Sequence, residues 1–206
     1  MELIDTLYSG NAWKVRLLCG YLGVPITRRT VSIVDGDLNT AEFQAINPMR
    51  QVPVLKTAEG AWLAESAAIL WYLAAGTSFL PAQKTSQAAI ISWLSFEQTK
   101  HMPNLSMPRL LVTLRRTTTV DDPKIIAWRQ AGIEALKIME AQLETRPYMI
   151  GATPTIADVA LYPYTSMAAQ GGYDLAVFPY INEWLARMES LPGYTSLLAG
   201  SAMRTR

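Results

Sequence analysis

The chain has 206 residues, a formal net charge of +1, 50% hydrophobic and 17% charged residues, and 12 each of Gly and Pro. That is a globular composition of one or two domains, excluding a disordered or collagen-like chain; 18 basic against 17 acidic residues leave no electrostatic footprint for nucleic acid or an anionic membrane. One Cys and one His exclude an internal disulfide framework and a Cys/His zinc cluster.

Met1 to Leu7 reads as a short strand, and Tyr8-Ser9-Gly10-Asn11 as turn chemistry. From Ala12, Val15, Leu18, Cys19 and Leu22 recur at helical spacing until Gly23 and Pro25 stop the helix. Ile26 to Val34 is β-branched, with Val31 and Ile33 alternating against polar neighbours, which predicts a strand. Asn39 to Ile46 predicts a short helix ended by Asn47-Pro48. Val52 to Lys56 and Ala61 to Ala64 form a hairpin about Glu59-Gly60, and Ser66 caps a helix reaching about Ala75. The order β-α-β-α-β-β-α predicts a mixed sheet with helices packed on it.

Gly76 to Gln83 reads as a linker, with residues 77–83 between a first domain over 1–76 and a second over 84–206. Beyond it every long segment is helical. Lys84 to about Arg116 is expected to bend at Pro103 and Pro108, and to carry Arg109 and Arg116 on one face. Asp121-Asp122-Pro123 opens a helix carrying Ile126, Ile133, Leu136, Met139 and Leu143. Thr155 opens another, closed by a Thr155/Asp158 capping box, and Pro179 to Leu191 is the last. The tail after Gly200 is too short for a further helix. The fold class is α/β followed by all-α.

Glu2 and Asp5 stand where a secretion signal needs Lys or Arg. The longest apolar run, Ala67 to Ala75, is less than half of the roughly 20 residues that span a bilayer. The expectation is a cytoplasmic protein without membrane or nucleic-acid partners.

Two pieces carry candidate chemistry. Pro53, at the start of a strand, removes a ladder donor; with a cis bond it leaves the main chain of Val52 open to an extended peptide. Glu65-Ser66, at a strand end that opens a helix, offers a carboxylate for an ammonium and a helix N-terminus with a hydroxyl for a carboxylate. A capping serine beside a solvated glutamate has the same signature. Cys19, at an apolar helical position without a Cys-x-x-Cys partner, reads as a buried small hydrophobe.

The stretch Ser9-Gly10-Asn11-Ala12-Trp13-Lys14-Val15-Arg16, the block Asn47-Pro48…Gln51-Val52-Pro53-Val54-Leu55, the pair Glu65-Ser66 and Thr155-Ile156-Ala157-Asp158 together resemble a cytosolic glutathione S-transferase of bacterial type, along the whole chain. The resemblance implies a thioredoxin-like first domain that binds glutathione, a helical-bundle second domain that supplies most of a second-substrate pocket, and a homodimer. It implies that Pro53 is cis, that Val52 pairs with the cysteinyl part of glutathione, that Glu65 and Ser66 hold the γ-glutamyl head group, and that Gln51 or Arg50 reaches the glycine end.

By the same resemblance the thiolate donor lies in the turn after the first strand. Ser9 is placed ahead of Asn11, with Tyr8 the remaining candidate. Glutathione is then a co-substrate; no metal and no tightly held organic cofactor is implied, and the partner is a small, largely apolar electrophile. His101, Met107 and Arg109 are weaker candidates for its pocket; a surface or capping role for His101 is the competing reading. Two alternatives stand beside the transferase: a glutathione-dependent reductase of disulfides or peroxides, and a non-catalytic interaction protein on the same scaffold.

Overall fold

The computed structural model describes residues 1–199, so the tail after Gly200 lies outside the described residues. The chain divides into two compact units, Met1–Leu73 together with the segment from Leu191, and Ala74–Ser190.

The first unit is built on a mixed four-stranded sheet in the order β2-β1-β3-β4. Strand β1 (Glu2–Asp5) runs parallel to β2 (Thr27–Thr30) and antiparallel to β3 (Val54–Lys56), which pairs antiparallel with β4 (Trp62–Ala64). Helix α1 (Gly10–Leu22) joins β1 to β2, α2 (Ala41–Ile46) precedes β3, and α3 (Ser66–Ala74) follows β4. Side-chain alternation along the strands gives each sheet face its own core. Leu3 and Leu55 pack with Val15, Cys19 and Ile69 on one face, while Ile4 and Val54 pack with Val31, Leu38 and Phe43 on the other. This is the thioredoxin-like arrangement expected from the sequence.

Helix α1 has every residue from Ala12 to Cys19 buried. Gly23 ends it at φ 64, a left-handed conformation that glycine adopts without a Cβ penalty. Strand β2 is shorter than expected. A turn in which Ser32 N–H donates to Asp37 Oδ2 (2.8 Å) and Asp35 N–H to Ser32 Oγ (3.1 Å) leaves Ile33 and Val34 exposed instead of in the sheet. Polar side chains satisfying the backbone locally displaced the ladder there.

Residues from Leu191, grouped with the helices in the domain expectation, pack on the first unit. The carbonyls of Thr195, Leu197 and Ala199 accept from Trp13 Nε1 (2.7 Å), Arg16 Nη2 (2.7 Å) and Arg28 Nη1 (2.8 Å). Gly193 lies so close to Gly20 that a Cβ on either would strike the other's backbone. The buried Asp5 carboxylate aims both guanidinium groups, accepting from Arg16 Nη1 (2.5 Å) and Arg28 Nε (2.9 Å).

The second unit is all helical: α4 (Lys84–Phe96), α5 (Met102–Pro108), α6 (Pro123–Leu143), α7 (Ile156–Ser166) and α8 (Pro179–Ser190). The expected bend is spread over two wide π turns, Glu97–His101 and Arg109–Leu114, near Pro103 and Pro108, which lack an N–H for the regular ladder. Helix α7 is buried along Ile156–Thr165 and packs on α4, α5 and α8. Asp158 closes its capping box and reaches further, accepting from Thr155 N–H (2.9 Å), Met149 N–H (2.8 Å) and Trp184 Nε1 (3.0 Å). Ile126 on α6 points to solvent, contrary to the expected core face. No helix among the described residues is long and apolar enough to cross a membrane.

Candidate functional site

Asn11, Asn47, Gln51, Val52, Pro53, Glu65 and Ser66 line one small concavity of the first unit. Three segments far apart in sequence meet there: the start of α1, the loop that enters β3, and the junction of β4 with α3. The Val52–Pro53 peptide is cis, and both residues precede the first paired residue of β3, Val54.

The entry loop is set by Asn47, which is 2% exposed. Its Nδ2 donates to the Gln51 carbonyl (2.9 Å) and its Oδ1 accepts from Met49 N–H (3.1 Å). One side chain therefore holds both ends of the turn that presents Gln51 and Val52 to the cleft. Asn47 stands in the sequence block above without a role, because a hydrogen bond that bridges a turn is invisible until the turn is built.

Glu65 and Ser66 sit where β4 becomes α3. Ser66 is the first helical residue, and the capping position belongs to Glu65, whose carbonyl accepts from Ile69 N–H (3.0 Å). This corrects the expected serine cap. The N–H groups of the first turn have no intrahelical acceptor, and the dipole favours negative charge beside them. Ser66 is buried and Glu65 exposed.

At the other wall, Ser9 caps α1, its Oγ accepting from Ala12 N–H (3.2 Å). That bond uses an acceptor lone pair and leaves the hydroxyl proton free to donate. Asn11 lies two residues on, its Oδ1 accepting from Lys14 Nζ (2.8 Å); of the two, Asn11 lines the concavity. Tyr8, Arg50 and Glu65 have φ values of 66, 53 and 67, left-handed conformations that side chains resist. Three of the four such non-glycine residues among the described residues thus stand in or beside this cleft. Strain of this kind persists only where surrounding structure enforces it, and it concentrates at binding sites.

The remaining candidates lie in the second unit. His101 is fully buried, not at the surface, with Nε2 2.8 Å from Thr165 Oγ1. Arg109 is also buried, its Nε donating to Gln170 Oε1 (2.7 Å), and Met107 is half-buried. Arg116, at φ 53, is exposed beyond the helix, so the expected shared face with Arg109 does not exist. A groove of about 510 Å³ in the same unit is larger than the cleft described above, but its Glu140 carboxylate is taken up by the N–H groups of Tyr180 and Ile181. Cys19 is 2% exposed, and burial pushes its thiol up to about 12.

Comparison with known proteins matches residues 8–75 to the family described as glutathione S-transferase, N-terminal domain, and residues 82–187 to glutathione S-transferase, C-terminal domain. The disulfide-bond oxidoreductase YfcG of Escherichia coli (strain K12) is 30% identical over 200 residues, covering 92% of each chain. The maleylpyruvate isomerase of a Ralstonia species is 28% identical over 188 residues, covering 88% of each. Among solved structures, a glutathione S-transferase from Pseudomonas fluorescens superposes with a TM-score of 0.93 at 36% identity, covering 96% of this chain and 98% of that one.

Proposed function

The chain belongs to the glutathione S-transferase family, and on that footing we propose that it binds glutathione in the cleft of the first unit and activates its thiol for attack on a small, largely apolar electrophile. The observation that carries this reading is the convergence of Asn11, Gln51, Val52, Pro53, Glu65 and Ser66 on one concavity. The γ-glutamyl carboxylate rests on the N-terminus of α3 and the Ser66 hydroxyl, the ammonium on the Glu65 carboxylate. The cysteinyl main chain pairs with Val52, and Gln51 or Arg50 meets the glycine end.

That placement carries the sulfur toward the start of α1. A free thiol ionises near 8.5, and only the thiolate is a strong nucleophile. Lowering the pKa by about two units requires roughly 2.7 kcal/mol of preference for the anion. One hydrogen bond to a charged acceptor contributes about 1.5–3 kcal/mol, and the α1 dipole adds to it. Ser9 stands ahead of Asn11 as the donor, with Tyr8 the remaining candidate. The thiolate then forms a bond to the electrophilic carbon, and the leaving group departs with the displaced electron pair.

A second reading, glutathione-dependent disulfide reduction, is favoured by the likeness to the oxidoreductase above. The buried Cys19 supplies no exchangeable thiol to either reaction, so both run on the sulfur of glutathione itself.

Calorimetric titration with glutathione tests the cleft, and turnover of a chloronitrobenzene against that of a glutathione-reducible disulfide separates the two reactions. A cleanly folded sample that binds no glutathione would leave the chain an interaction protein.

A further inference from the structure

The activity outlined above makes no use of a charge buried beside the cleft. Lys14 is 0% exposed within α1. Burying an ammonium is costly unless it is well partnered, and an apolar side chain at the same position carries no such cost. Its Nζ donates to Asn11 Oδ1 at 2.8 Å, a pair three residues apart and therefore on one face of the helix.

The chemistry of this pair fixes an orientation. An ammonium has three donors and no acceptor, so it faces the amide oxygen and never the amide nitrogen. With Oδ1 committed to Lys14, the polar end that Asn11 keeps for the cleft is its NH2 group. An amide turned the other way would present oxygen to the sulfur and repel a thiolate.

We propose that Lys14 is a positioning residue that locks the Asn11 side chain as a hydrogen-bond donor to the glutathione sulfur. The buried charge also polarises the amide and strengthens its N–H as a donor. The proposal rests on the glutathione reading of the cleft, and it gives Asn11 a defined part in thiol activation beside the Ser9 hydroxyl, whose proton stays free to donate because its bond to Ala12 N–H uses only a lone pair.

The test is the pH midpoint of ionisation of bound glutathione, followed by the ultraviolet absorbance of the thiolate, in wild type, Lys14→Met, Asn11→Ala and the double variant. The proposal expects Lys14→Met to raise the midpoint by about one unit, a tenfold loss of ionisation, and to add nothing in the Asn11→Ala background. An unmoved midpoint overturns it, and so does an equal shift with and without Asn11, because Lys14 then acts by charge or packing alone.

Should Lys14→Met not fold, the Asn11 side-chain amide is followed by nuclear magnetic resonance in the asparagine-labelled wild-type protein. Movement of its N–H signals as bound glutathione ionises supports the proposal, and still signals overturn it. A wild-type protein that binds no glutathione instead overturns the reading of the cleft, so the two failures are distinct.

Discussion

The indole of Trp13 donates to the carbonyl of Thr195 across 2.7 Å and 182 residues of chain. With the Arg16 bond to Leu197 and the close passage of Gly193 over Gly20, this ties the segment from Leu191 to the buried helix α1. Trp13→Phe removes the donor and orphans that carbonyl, a loss of about 1–3 kcal/mol. The expected fall in melting temperature is several degrees for a chain of this size. A variant that melts with wild type shows that the tie adds no stability.

Asp158 carries more than a cap. Four donors converge on its buried carboxylate: Thr155 N–H and Oγ1, Met149 N–H and Trp184 Nε1. Asp158→Ala leaves them without an acceptor, and the expected cost is about 3 kcal/mol or more. Thr155→Ala, which removes one cap, should cost about 1 kcal/mol. Urea denaturation of the two variants checks the ranking; equal losses would reduce Asp158 to its capping role.

Under the proposed function, Ser66→Ala weakens the hold on glutathione without touching the reacting sulfur. The expected result is a KM for glutathione raised about tenfold with kcat nearly unchanged, the pattern of lost uniform binding. Steady-state kinetics at fixed electrophile decide it. A drop in kcat at constant KM would place Ser66 at the chemistry instead.

Cys19 is predicted to be inert. With its thiol raised to about 12 by burial, labelling of the native protein at mildly alkaline pH should proceed at the rate of unfolding and no faster. The sign of the linked effect follows. The folded state holds this proton more tightly than the unfolded state, whose thiol ionises near 8.5. Its contribution to stability is therefore complete below that value and declines as pH rises toward the folded one. Thermal melts between about pH 8 and 10 should show a shallower decline for Cys19→Ala than for wild type.

Turn and cap chemistry made much of the fold readable in advance. Gly23, Asp122-Pro123 and the Thr155/Asp158 box each mark a helix end, because local residues there satisfy local backbone. Ile33 and Val34 misled because β-branching speaks for a strand without saying whether a neighbouring strand is within reach; Ser32 and Asp37 closed a turn first. Within the cleft, Pro53 stood out as an exception to ordinary strand grammar, whereas Glu65 and Ser66, whose signature is equally that of a capping serine beside a solvated glutamate, were singled out by the family resemblance. Lys14 could not be singled out: a lysine in a helix is by default a solvated one, and only the fold reveals that it is enclosed. His101 was misplaced for a similar reason, since its partner Thr165 is 64 residues away.

The anchoring of residues 191–199 on α1 has a bearing on how the polypeptide matures. Synthesis proceeds from the amino end, so β1 to α3 leave the ribosome long before the stretch that supplies the acceptors for Trp13, Arg16 and Arg28. A nascent chain halted anywhere before Leu191 lacks the carbonyls that residues 191–199 bring to those donors. Completion of the packing about α1 thus waits on a segment made much later, and premature termination ahead of that segment is felt far upstream in the chain.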